Sequence, residues 1–130
     1  MELGYTILYV VSITDTIAFY ERAFGLERRM VAETGEYGEL RTGITTLAFV
    51  ANSFVKGSTD VPFEAAASDN AAPPVELGFA IEAVKAMFGR AMSAGAVAVK
   101  QPEPKPWGRL VGYVRNNNGF LVEICSPLTT

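Results

Sequence analysis

Two short stretches of this chain resemble each other, Ala-Phe-Tyr-Glu-Arg-Ala-Phe at 18–24 and Ala-Met-Phe-Gly-Arg-Ala-Met at 86–92, and each occupies the same place in a larger pattern. Ahead of the first, Leu3 to Val11 is a nearly unbroken apolar and β-branched run, which predicts a strand buried on both faces. Ser12, Thr14 and Asp15 then offer N-cap oxygens to a helix over 16–24, with Ile17, Tyr20 and Phe24 at helical spacing and Gly25 as the stop. Three strand candidates follow at 26–33, 37–41 and 45–51, separated by Gly35 and Gly43. The second stretch has the same surroundings. Residues 75–81 read as a strand, and Val84, Met87, Phe88, Ala91 and Met92 form a helical stripe closed by Gly95. Strand candidates at 96–100, 109–115 and 120–126 complete it, the last two joined by Asn116-Asn117-Asn118-Gly119, whose Asn-Gly pair signals a hairpin. A strand, a helix and three strands written twice restrict the chain to an internally duplicated α+β fold of two βαβββ modules.

Module one is expected at about 1–51 and module two at about 75–130, within one domain. Residues 52–74 between them keep no sustained period and hold Gly57, Pro62, Pro73 and Pro74, which predicts a linker or a lid. Apolar residues make up 49% of the chain, enough for a sizeable core and too many for a disordered one. With 11 Lys and Arg against 14 Asp and Glu there is no basic footprint for nucleic acid. No apolar run approaches the ~18 residues of a membrane span, and the Met-Glu-Leu-Gly-Tyr start lacks the basic character of a signal peptide. A soluble, cytoplasmic protein is expected. The single Cys125 excludes an intrachain disulfide and fits a reducing compartment.

There is no histidine. The commonest metal ligand and the commonest general base near neutral pH are therefore missing, and with them Ser-His-Asp and Cys-His nucleophiles and the two-histidine, one-carboxylate iron site. Only carboxylate-based or metal-free mechanisms remain.

The two modules, with Phe19-Tyr20 and Phe24-Gly25-Leu26 early and Pro106-Trp107-Gly108 and Asn118-Gly119-Phe120-Leu121-Val122-Glu123 late, resemble the vicinal oxygen chelate superfamily, the glyoxalase, bleomycin-resistance and extradiol dioxygenase group. The resemblance implies mixed sheets curved into cups, paired modules enclosing a cavity on the concave side, and a homodimer. It also implies four ligand places in the metalloenzymes, on the first and last strand of each module. Counted back from the helices, these fall here on Tyr5, Phe49, Glu76 and Glu123. Tyr5 and Phe49 are not plausible metal ligands, which leaves Glu76 and Glu123 as weak candidates for an oxygen-rich divalent site. A rival register matches Glu2-Leu3-Gly4-Tyr5 to Glu76-Leu77-Gly78-Phe79; the helix-anchored one is preferred, because packing fixes helix position and a three-residue slip would turn Tyr5 to the other face.

Alternation places Tyr5, Ile7 and Tyr9 on one face of the first strand, Glu76, Gly78 and Ala80 on the matching face of the second module, and Leu121, Glu123 and Cys125 beside them. Leu47, Phe49, Trp107 and Arg109 are further candidates for the concave lining, which would suit a flat, partly apolar organic ligand. Two facing carboxylates in such a lining need a cation, which Arg109 or Arg41 could supply. Cys125 has nothing near it in sequence to make it reactive. The expected ligand-binding set is Tyr5, Tyr9, Phe49, Glu76, Trp107, Arg109 and Glu123, with no cofactor and a small organic molecule as partner. Two readings stay open. One is a metal-free sequestering protein of the bleomycin-resistance type, binding an aromatic or amphipathic ligand; the other is a lyase, isomerase or dioxygenase with a divalent metal on Glu76 and Glu123, or one of these carboxylates as catalytic base.

Overall fold

The computed structural model describes residues 1–127, so the last three residues of the expected second module, 128–130, lie outside the described residues. Two four-stranded mixed sheets form, each with a helix packed on it, and their strand orders are the same. The first contains β1 (Tyr5–Val10), β2 (Arg28–Val31), β3 (Tyr37–Leu40) and β4 (Thr46–Ala51) in the order β1-β4-β3-β2, with α1 (Ile13–Phe24) following β1. After α2 (Asn52–Ser58) come β5 (Glu76–Ala80), α3 (Val84–Ser93), β6 (Val97–Pro104), β7 (Leu110–Arg115) and β8 (Leu121–Cys125), ordered β5-β8-β7-β6. In each sheet the first strand runs parallel to the fourth, and the other pairs are antiparallel. This is the α+β architecture expected from the duplicated pattern. The chain divides into one unit of residues 1–21 and 25–66 and another of 22–24 and 67–130.

In the first unit α1 begins at Ile13, three residues earlier than expected, because the Ser12 hydroxyl accepts a hydrogen bond from the Asp15 backbone N–H at 3.1 Å and so caps the helix itself. It ends where Gly25 takes the left-handed φ of 67°. The face of α1 bearing Ile13 and Ile17 lies directly on β3: a Cβ on Gly38 would stand 2.6 Å from Ile17 Cδ1 and 2.8 Å from Ile13 Cγ2. Helix and sheet bury Leu8, Val10, Ile17, Phe19, Tyr20, Leu40 and Phe49 between them. The second unit repeats the device, with Gly112 of β7 leaving room for Phe88 of α3 and for Pro102, at 3.1 and 3.0 Å from where its Cβ would be. Val114, Val122 and Ile124 are wholly buried there.

Residues 52–74 are not one structureless connection. Asn52 to Ser58 form a helix with Val55 buried, although Ala51 at its N-cap supplies no side-chain bond. Burial of one apolar side chain against the sheet outweighs the missing cap and the presence of Gly57. β6 runs to Pro104, further than the expected 96–100, with two register shifts against β7. Its prolines are tolerated because β6 is the sheet's edge strand.

Candidate functional site

Partners in a strand register share a face, so the pairing separates each sheet's helix side from its other side. In the first unit Tyr5, Ile7 and Tyr9 pair with Thr46, Ala48 and Val50, and Glu39 and Tyr37 pair with Ala48 and Val50. These residues lie on the face turned away from α1, and Met30, opposite Glu39, joins them. Tyr5, Ile7 and Met30 are exposed there, at 53%, 47% and 39%.

The Glu39 carboxylate sits among these groups with its residue only 9% exposed. The Tyr37 hydroxyl donates to its Oε2 at 2.6 Å, and Arg29 Nε lies 3.4 Å from its Oε1. Both oxygens thus have a partner, as a carboxylate in apolar surroundings requires. Burial, and next the hydrogen bond to Glu39, push the Tyr37 phenol well above its ordinary value, so it stays a donor at any physiological pH. At the end of the same face Tyr9 meets Phe63 edge-on, ring centroids 5.0 Å apart. Phe63 also lines a pocket of about 310 Å³ with Lys56, Asp60, Val61 and Pro62.

In the second unit Glu76 pairs with Leu121, Gly78 with Glu123 and Ala80 with Cys125, and across β8 Tyr113 pairs with Glu123 and Val111 with Cys125. All lie on the face turned away from α3. The Tyr113 hydroxyl donates to Glu123 Oε1 at 3.1 Å. A phenol bonded to a carboxylate therefore recurs on the corresponding face of each unit. Cys125 is buried, its sulfur 3.7 Å from the Phe79 carbonyl oxygen. Burial first, then hydrogen bonding to Glu123 and the charge of that carboxylate, raise its thiol pKa, with Arg109 pulling weakly the other way. It is a packed thiol, and its raised pKa disfavours the thiolate form.

The residues expected from sequence fall as follows. Tyr5 and Tyr9 are on the expected face of β1. Tyr5 and Glu76 each open the first strand of a module. Glu76 and Glu123 come together on adjacent strands, about 8 Å apart at Cα by strand geometry, and Glu76 borders a pocket of about 320 Å³ with Pro73, Pro74, Val75 and Leu121. Trp107 is 65% exposed in the turn between β6 and β7, and Arg109 begins the approach to β7. Phe49 is a correction. It is fully buried on the helix side, stacked on Tyr20 with ring centroids 5.4 Å apart, and belongs to the core. Leu47, two residues earlier and also buried, shares that side. Tyr37, Glu39, Arg29 and Tyr113 were not anticipated. The Tyr-Gly-Glu alternation at 37–39 carried the only available signal, a carboxylate on the same strand face as a phenol.

The donor set does not fit the metal site of the metalloenzymes. Among the described residues no group of three or more His, Cys, Asp or Glu side chains could hold an ion. Glu123 is already engaged by Tyr113, and at the corresponding places of the first unit the strand register puts Tyr5 and Ala48, neither of them a metal ligand.

The family model of the glyoxalase/bleomycin resistance protein/dioxygenase superfamily matches residues 2–124. The chain belongs to that superfamily. Solved structures with the superfamily fold include a glyoxalase-related enzyme from Fulvimarina pelagi, 18% identical, covering 98% of this chain and 88% of its own, with a TM-score of 0.85. A glyoxalase/bleomycin resistance protein/dioxygenase family enzyme from Burkholderia phytofirmans PsJN is 21% identical over 98% of this chain and 100% of its own, TM-score 0.83. TioX from Micromonospora sp. ML1 is 21% identical with the same coverage and a TM-score of 0.71. At these identities the likeness concerns the fold. No curated protein sequence matches the chain.

Proposed function

We propose that this superfamily member is a metal-free binding protein of the bleomycin-resistance type, a homodimer that sequesters an aromatic or amphipathic molecule on the sheet faces turned away from its helices. The observation that carries this reading is the first unit's face. Tyr5, Ile7 and Met30 are exposed around a carboxylate whose partners are already fixed, so the face offers apolar contact area and a preformed polar point. Exposed apolar surface edged by a few placed polar groups is the usual composition of a small-molecule site. The lone Cys125, buried and without a disulfide, suits a reducing cytoplasm.

Calorimetry against planar antibiotics and aromatic metabolites tests it. Saturable binding that weakens in Tyr5→Ala and Ile7→Ala is expected; absence of binding across the panel overturns the reading. Titration with Mn²⁺, Mg²⁺, Ni²⁺ and Zn²⁺ on chelator-free protein separates the enzyme alternative. Stoichiometric metal that is lost in Glu76→Ala and Glu123→Ala would turn attention to oxygen-ligand chemistry at those two carboxylates.

A further inference from the structure

Five of the chain's arginines have an acceptor. Arg28, Arg29 and Arg41 pair with Glu21, Glu39 and Glu27, Arg90 donates to the Arg22 carbonyl, and Arg115 donates to backbone carbonyls. Arg109 differs. Among the described residues its Nε, sealed from solvent, has no hydrogen-bond partner, and its guanidinium makes no ion pair. A buried donor without an acceptor is rare enough in folded proteins to need a cause.

Its surroundings are built to receive something. Arg109 continues the alternation of Val111 and Tyr113, which puts it on the face turned away from α3. The next pair along that face, Val111 with Cys125, is a buried apolar floor. Glu123 pairs with Tyr113, four residues from Arg109, about 13 Å along the strand at Cα, and Glu76 lies further still. The Glu123 carboxylate reaches back as far as the Cys125 thiol, which also feels the Arg109 charge, yet among the described residues the two heads form no ion pair. Trp107 presents its ring in the turn two residues before Arg109, a turn closed by Lys105 N–H to the Arg109 carbonyl at 2.7 Å.

We infer that the sheet face of the second unit binds an organic anion, a carboxylate carried on an aromatic body, with the Arg109 guanidinium as its counter-ion and Trp107 beside the ring. The inference rests on the reading of these faces as small-molecule sites and adds the ligand's charge, which the chain's net −3 would not suggest. A guanidinium takes a carboxylate through two parallel N–H donors, a geometry lysine cannot reproduce.

Calorimetry with sodium 1-naphthoate and the neutral isostere 1-naphthamide tests it on the full chain. Naphthoate should bind about tenfold tighter or more, and quench the single tryptophan. In Arg109→Gln the preference should vanish while the amide's affinity stays, and Arg109→Lys should retain part of it. Loss of an unpaired donor should leave Tm within about 4 °C of the parent. Equal affinities for the two probes, or a preference that survives Arg109→Gln, overturn the inference while leaving the binding reading intact; saturation by neither probe counts against both. A larger fall in Tm, or a sedimentation shift toward smaller species in Arg109→Gln, would show that the acceptor lies in the fold or in a second copy, and would also overturn it.

Discussion

Glu39 shows how a charge can be kept on a largely apolar sheet face, since each carboxylate oxygen has its own donor. Removing one donor exposes what it contributes. Tyr37→Phe keeps the ring and deletes the 2.6 Å hydrogen bond, and should cost about 1–2 kcal/mol in urea denaturation, the range for a hydrogen bond to a charged group discounted for partial solvation. An unchanged midpoint would mean that water replaces the phenol without loss. Burial of the phenol, together with this bond, gives the fold a pH signature. The folded state holds the Tyr37 proton more tightly than the unfolded chain does, so its contribution is complete below the ordinary phenol value near ~10 and is lost as pH rises beyond it. Stability should therefore fall with alkaline pH more steeply in the parent than in Tyr37→Phe, and parallel curves would contradict the assignment. At this scale the sequence was legible wherever alternation was marked. Tyr5, Ile7 and Tyr9 share a face because they are two apart, and so do Glu76 and Gly78. In β4 all six residues, Thr46 to Ala51, are buried, so no exposed position marks the sides and Phe49 could not be assigned from the run itself. The Arg29 contact depends on a register shift between Arg28 and Met30, which no local pattern encodes.

The elements follow from local chemistry more than from their mean hydropathy. Ser12 caps α1, and Ser12→Ala should lower stability by about 1 kcal/mol in thermal or urea melts; a neutral effect would show that tertiary contacts fix the helix start. Gly38 makes a sharper case. An alanine there must displace Ile13 and Ile17 or move α1, so Gly38→Ala should destabilise by about 1–3 kcal/mol. Gly78, on the opposite face of the equivalent sheet, has nothing within 4 Å of an added Cβ, and Gly78→Ala should be neutral or stabilising by up to about 1 kcal/mol. Comparable losses in both would mean that strand propensity, rather than helix contact, sets the cost. The sequence revealed α1 and α3 through their apolar stripes. It concealed α2, because seven residues with a glycine and no capping side chain carry too few positions to show a period, and the helix depends on Val55 finding the sheet.

The duplicated pattern was readable across the whole chain because each copy repeats the same order of strand, helix and strands. The course of residues 67–70 between the copies was not readable, since the contact made there joins residues far apart in sequence. Arg115, the last residue of β7, donates from Nε to the Gly119 carbonyl at 2.8 Å and from Nη2 to Asn70 O at 2.7 Å, with longer contacts to Ala67 O and Ser68 O. One guanidinium thus holds residues 67–70 against the Asn116–Gly119 turn. That turn is itself braced by Asn116 Oδ1, which accepts from the backbone N–H of Asn118 and of Phe120. The approach is close enough that a Cβ on Gly119 would stand 2.5 Å from Ala67 O, in a residue whose φ of 83° already favours glycine. Arg115→Ala removes the donors without touching the buried strands, so hydrogen exchange should accelerate at 67–74 while Val122 to Ile124 keep their protection. Gly119→Ala reaches the same contact from the other side, by crowding rather than deletion, and should accelerate exchange in the same segment. If both variants leave 67–74 as protected as in the parent, the segment is held by its prolines and its own turn, and the arginine only decorates it. If both release it, the part of the chain that sequence left as a featureless link is held by a single side chain more than forty residues away.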